Sequence, residues 1–125
     1  MNPVQRAAFD HEIALAKELV AQGDLKSGHA HLERAHVLGQ AFVLPHVRSH
    51  WLMLQVEFRR KRPGAAFGQV ARICLGAIGS TVGVVPVGNT GGSDVSMFER
   101  MPIDPELQSL IDGRPRPDAR SQRSP

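Results

Sequence analysis

A chain of 125 residues, 42% of them hydrophobic, has room for one domain with one modest core and excludes a multidomain protein. The net charge of +3 at pH 7 comes largely from the basic run 59–62 and from arginines near the C-terminus. No nucleic-acid-binding motif accompanies them, so nucleic acid is a disfavoured partner. A single cysteine, Cys74, excludes an internal disulfide.

The sequence also favours a cytoplasmic location. Residues 1–6 lack the basic-then-apolar pattern of a signal peptide. The least polar stretch, 65–87, is interrupted by Arg72 and several glycines, so we expect no membrane span there.

The first forty residues predict two helices. Residues 4–22 place an apolar stripe on one helical face: Val4, Ala8, His11, Leu15 and Leu19. Pro3 suits the start of this helix, and Gly23 should end it. Asp24 can then cap a second helix over 25–41, whose small residues predict a close neighbour.

Two further helices are predicted before residue 80. Pro45 suits the first turn of a third helix, which should end near Lys61. Its expected core stripe is Val47, Trp51, Leu54 and Phe58. The turn at 63–64 leads into a fourth segment over 65–79, which is apolar nearly all round and predicts a buried helix. On that helix Cys74 should be an inert buried thiol.

The C-terminal third should be irregular. Residues 81–87 are β-branched but broken by glycine and proline, and predict extended chain or one short strand. A short helix should follow the turn-rich loop 88–92 and end near Ile111. We therefore predict a single all-α domain over 1–111, with about four antiparallel helices (4–79) and a strap (80–111). Residues 112–125 should form a disordered tail.

Two resemblances refine this fold. Residues 22–25, followed by Gly28, Leu32, Ala35 and Leu38, resemble the helical hairpin of a tetratricopeptide repeat, which implies close helix crossing at the small residues. The segments 32–40, 46–54 and 85–92 are similar to a small bacterial family, domain-of-unknown-function family 3703. No activity is assigned to that family, so the resemblance implies a common unit of helices and loop but no function.

The histidines provide the main functional signal, because all six lie between residues 11 and 50. Helical spacing puts two sets of polar side chains on facing strips of the second and third helices: His29, Glu33, His36 and Gln40; His46, His50, Met53 and Glu57. Imidazoles one turn apart, with a nearby carboxylate, are typical of transition-metal sites. His31 points away from His29 and should be excluded, whereas His11 lies within the stripe of the first helix.

The predicted metal ligands are His29, Glu33, His36, His46 and His50, for one ion that the spacing does not identify among Zn, Ni, Cu and Fe. The alternative is a non-enzymatic interaction module, tetratricopeptide-like, in which these histidines are structural. Such a module would contact a protein partner or a second copy through its helix groove or loop. The loop candidates are Gly88, Asn89, Thr90, Gly91 and Gly92. No pairing of nucleophile and base suggests an enzyme.

Overall fold

The computed structural model describes residues 1–83 and 87–116, and five helices lie within these ranges. They are α1 (Pro3–Ala21), α2 (Leu25–Gly39), α3 (Val43–Arg59), α4 (Pro63–Val82) and α5 (Pro105–Ile111). No strand occurs in the described residues. The all-α prediction is therefore confirmed.

Capping side chains and a glycine define the start of α1 and the turn between α1 and α2, and Gly23 and Asp24 act there as predicted. The side chain of Asn2 accepts a hydrogen bond from the Gln5 amide at 2.8 Å and caps α1. Gly23 takes a φ of +87°, and Asp24 caps α2 through the Ser27 amide at 3.1 Å. The helices α1 and α2 therefore form a tight hairpin.

That hairpin depends on Gly28. A Cβ at this position would lie 2.6 Å from Val20 Cγ2 and 3.2 Å from the Ala16 carbonyl oxygen. The expectation that a small residue permits close crossing is met here, although the likeness to a tetratricopeptide repeat stays a prediction.

The apolar core lies between α1, α2, α3 and α5. Its largest buried apolar side chains are Phe9, Ile13, Leu32, Leu38 and Met53. The predicted face of α1 was wrong by about one residue, because the buried positions are Gln5, Phe9, Glu12, Ile13 and Ala16. Phe9 is fully buried in the core, whereas Ala8 is only partly buried and His11 is exposed.

The predicted core stripe of α3 was also wrong at two positions. Trp51 is 54% exposed and Phe58 is 65% exposed. The strip containing His46, His50 and Glu57 is buried instead, because it faces inwards between α2 and α4. The more polar side of this helix therefore forms its interior surface.

Helix α4 is longer and more exposed than expected. It packs mainly against α3, so Phe67, Ile78 and Val82 stay in solvent and Cys74 is exposed rather than buried. It continues to Val82 and ends at Gly83 with a left-handed φ of +74°, which corrects the prediction of extended chain from residue 81. Residues 84–86 of that prediction lie outside the described residues.

In the described part of the strap, Asn89 and Gly91 contact α2 and α4, and α5 packs on α1 and α2. Beyond it, Arg116 Nε lies 2.6 Å from Glu106 Oε1. Of the predicted tail, residues 117–125 lie outside the described residues. None of the described helices is long and apolar enough to cross a membrane.

Candidate metal centre

Three histidines converge in the interior between α2 and α3. His36 comes from α2, and His46 and His50 come from successive turns of α3. Each offers a ring nitrogen, and these atoms all lie within 4.8 Å of one another. All three residues are buried, with His36 only 3% exposed. The predicted facing strips of α2 and α3 therefore meet at these three residues.

The orientation of His36 is fixed by the strap. Its Nδ1 lies 2.8 Å from the carbonyl oxygen of Asn89, which can only accept, so Nδ1 carries the proton. The lone pair of His36 is therefore on Nε2. That atom is buried and has no hydrogen-bond partner among the described residues.

His50 is fixed in the same sense by Gln69 of α4. His50 Nδ1 lies 2.7 Å from Gln69 Oε1, while Gln69 Nε2 donates to the Gly91 carbonyl at 3.1 Å and to Ser93 Oγ at 3.2 Å. Because the amide nitrogen is committed to these acceptors, its oxygen must accept from His50. The lone pair of His50 thus also lies on Nε2, 3.1 Å from His46 Nε2.

Burial keeps these imidazoles neutral. Desolvation lowers the pKa of His50 to about 4 and lowers the pKa of His36 well below its ordinary value. Desolvation also lowers the pKa of His46. Three neutral imidazoles are in the protonation state that a metal ligand requires.

The loop 88–92 supports the cluster from outside. Asn89 Oδ1 accepts from the Gly91 amide at 2.9 Å, and Asn89 Nδ2 donates to the Ser96 and Glu99 carbonyls at 2.7 Å each. Gly91 is needed because a Cβ there would lie 2.8 Å from the His36 ring. The Gly91 amide is buried and used in this turn, so the loop positions His36 rather than presenting that N–H to an external anion.

Arg72 of α4 fastens this loop. Its Nη1 donates to the Gly91 carbonyl at 2.8 Å, and further bonds reach the carbonyls of Gly92 and Val95. Desolvation lowers the pKa of Arg72, as expected for a half-buried cation whose bonds within the described residues go to carbonyls.

Two of the predicted ligands lie outside the three-histidine group. His29 pairs instead with carboxylates: its Nδ1 is 3.6 Å from Glu33 Oε1, and its Nε2 is 3.1 Å from Glu57 Oε1. Ser93 Oγ also donates to Glu57 Oε1 at 3.1 Å. Desolvation lowers the pKa of His29 and raises the pKa of Glu33. The structure therefore does not bring His29 and Glu33 into the three-histidine group, because His29 faces Glu57 and Glu33 lies against His29.

His31 is separate, as predicted. Its Nδ1 lies 2.6 Å from Glu12 Oε2 on α1, and Arg34 Nε lies 3.0 Å from Glu12 Oε1. Burial by itself would raise the pKa of Glu12, but the hydrogen bonds from His31 and Arg34 outweigh it and lower that pKa. His31 thus belongs to an ion-pair network between α1 and α2.

A cavity of about 480 Å³ opens beside the three histidines. Besides them it is lined by residues of α4 and the strap, which include Arg72, Leu75, Met97, Phe98 and Arg100. Sequence reasoning missed these residues and Gln69, because no local motif relates α4 and the strap to the histidines.

Comparison with known proteins supplies a family and no activity. No curated protein and no solved structure matches the chain. The family described as a protein of unknown function, DUF3703, matches residues 4–111. This match includes the segments that resembled domain-of-unknown-function family 3703. Because it covers most of the chain, the chain belongs to this family.

Proposed function

We propose that this protein binds one transition-metal ion through the Nε2 atoms of His36, His46 and His50. The observation that carries the proposal is the buried, unpartnered Nε2 of His36, which lies in a group with two other imidazoles. A buried polar atom without a partner costs about 1–3 kcal/mol, and a bound ion would remove that cost.

The donor set has the character of a transition-metal site. Two nitrogens bound to one tetrahedral ion at 2.0–2.1 Å lie about 3.4 Å apart, and the Nε2 atoms of His46 and His50 are separated by 3.1 Å. When an ion binds, His46 takes the tautomer protonated at Nδ1, so that all three Nε2 lone pairs are available. Three neutral nitrogens favour Zn, Cu, Ni or Fe over Mg or Ca, which prefer oxygen.

The surrounding hydrogen bonds support this assignment. Metal-bound histidines usually donate their second N–H to a carbonyl or carboxylate, which fixes the ring and raises its basicity. His36 donates to the Asn89 carbonyl, and His50 donates to Gln69. These two ligands are thus oriented before any ion arrives.

The test is a metal titration with matched variants. We expect the purified chain to bind one Zn²⁺, measured by calorimetry and elemental analysis, and His36→Ala and His50→Ala each to weaken binding at least about 100-fold. His31→Ala is the control, because His31 pairs with Glu12 and should leave the affinity intact. Binding no stronger than that of a surface histidine, or equal loss in all three variants, would contradict the proposal.

A second candidate function is self-association through α4. Its exposed apolar residues Phe67, Val70, Ile78 and Val82 are spaced 3, 8 and 4 residues apart and form a stripe along the helix. Such a stripe matches the same stripe on a second copy of the chain. Light scattering should then give twice the monomer mass for the wild type and the monomer mass for Phe67→Glu combined with Ile78→Glu.

A further inference from the structure

The charges around the three histidines do not balance once a divalent ion is present. The ligands are neutral imidazoles, and the cavity beside them is lined by Arg72 and Arg100. No aspartate or glutamate lines this cavity in the described part of the chain. An ion bound as proposed would add two positive charges to a site that already faces two cations.

The carboxylate of Glu57 does not correct the imbalance. Within the described residues it is linked to the site through Ser93 and Gln69. It is already matched by basic groups, since Arg60 Nη1 lies 3.3 Å and Arg62 Nε 3.7 Å from its oxygens. A partly buried excess of positive charge is costly unless an anion compensates it.

The site also leaves room for that anion. Three protein ligands leave the fourth tetrahedral position of a metal such as Zn²⁺ open. The cavity of about 480 Å³ lies within the usual range of small-molecule sites. Its lining is mixed: Leu75, Met97 and Phe98 are apolar, whereas Arg100 is an exposed cation at the rim.

We propose that the metal-loaded protein binds a small organic carboxylate, an inference that rests on the proposed function. One carboxylate oxygen occupies the fourth metal position, and the charge is shared with Arg100. The apolar part of the ligand lies against Phe98 and Leu75. An anion of this kind fills the fourth metal position, reduces the excess positive charge and gives the apolar wall a partner.

The experiment uses the full chain loaded with Co²⁺, whose visible spectrum reports the fourth ligand. Co²⁺ is titrated first, to establish one bound ion per chain. Benzoate is then added, with neutral benzamide as the matched control and acetate as the carboxylate without an apolar ring. We expect a saturable spectral change with benzoate, none with benzamide, and weaker binding of acetate.

Two variants outside the metal ligands separate charge from apolar contact. Arg100→Ala should weaken benzoate about tenfold without weakening Co²⁺, because it removes a cation and no metal ligand. Phe98→Ala should weaken benzoate and leave acetate unchanged. If Co²⁺ binds and benzoate produces no saturable change, or benzamide equals benzoate, the carboxylate proposal is wrong and the metal proposal stands. If no Co²⁺ binds, both are wrong.

Discussion

His50 and Gln69 form a buried hydrogen bond of 2.7 Å that joins α3 to α4 and fixes the direction of one imidazole lone pair. Gln69 is fully buried and also donates to the strap. One glutamine side chain therefore links a candidate ligand to the segment that covers the site.

The role of Gln69 is testable with two substitutions of similar size. Gln69→Leu removes the acceptor for His50 and should weaken Zn²⁺ about 10–100-fold, as loss of a ligand's hydrogen-bond partner usually does. Gln69→Glu keeps an acceptor oxygen and should retain most of the affinity. Competition with a chelating dye measures the Zn²⁺ affinity of both variants. Equal Zn²⁺ affinity in Gln69→Leu and the wild type would exclude an orienting role for Gln69.

Gly76 of α4 offers a steric test of the site. A Cβ at this position would lie 2.9 Å from His46 Cε1 and 3.0 Å from His46 Nε2. Gly76→Ala should therefore displace the ring and weaken Zn²⁺ at least about tenfold. The affinity is measured by the same dye competition.

Gly68 on the same helix is the matched control. Nothing lies within 4 Å of a Cβ added there. Gly68→Ala should leave Zn²⁺ affinity unchanged and raise the free energy of unfolding by about 0.5–1 kcal/mol, because alanine favours helix over glycine. If Gly76→Ala behaved like Gly68→Ala, His46 would not be a ligand.

The metal-free protein should lose stability as the pH falls. Burial lowers the pKa of His50 from 6.5 to about 4, so the unfolded chain takes up its proton first. The neutral form of His50 contributes about 3 kcal/mol to the free energy of unfolding. This contribution is complete above the unfolded-state pKa of 6.5 and is lost as the pH falls from 6.5 to about 4. Urea unfolding of wild type and His50→Gln across this range measures it, and identical pH profiles would refute the assignment.

His29 should matter for stability rather than for metal binding. It is the buried partner of the fully buried Glu57. His29→Ala leaves that carboxylate with fewer partners and should lower the free energy of unfolding by about 2 kcal/mol. Zn²⁺ stoichiometry and affinity should be unchanged in calorimetry; a loss as large as in His36→Ala would instead place His29 among the ligands.

Much of the fold could be predicted from local signals. Gly23 and Asp24 determine where α1 ends and α2 begins, and helical spacing brought His46 and His50 onto one face. The buried faces could not be predicted as well, because they depend on which helices are neighbours. Trp51 is exposed and Glu57 buried, the reverse of what hydrophobicity alone indicates.

The same limit applies to the site. Spacing on α2 and α3 selected five candidates, of which three converge. His29 faces Glu57 rather than His36 because of the side chains that surround it across the bundle. Helical periodicity does not predict these neighbours. The contribution of Gln69 and of the Asn89 carbonyl arises from contacts distant in sequence.

In the proposed site, the imidazoles of His36, His46 and His50 hold one ion. X-ray absorption at the zinc edge of the protein loaded with one equivalent of Zn²⁺ identifies the ligand atoms. We expect three imidazole nitrogens at 2.0–2.1 Å and one further oxygen or nitrogen ligand in the fourth position. A spectrum with a sulfur ligand, or with fewer than three imidazoles, would rule out this site.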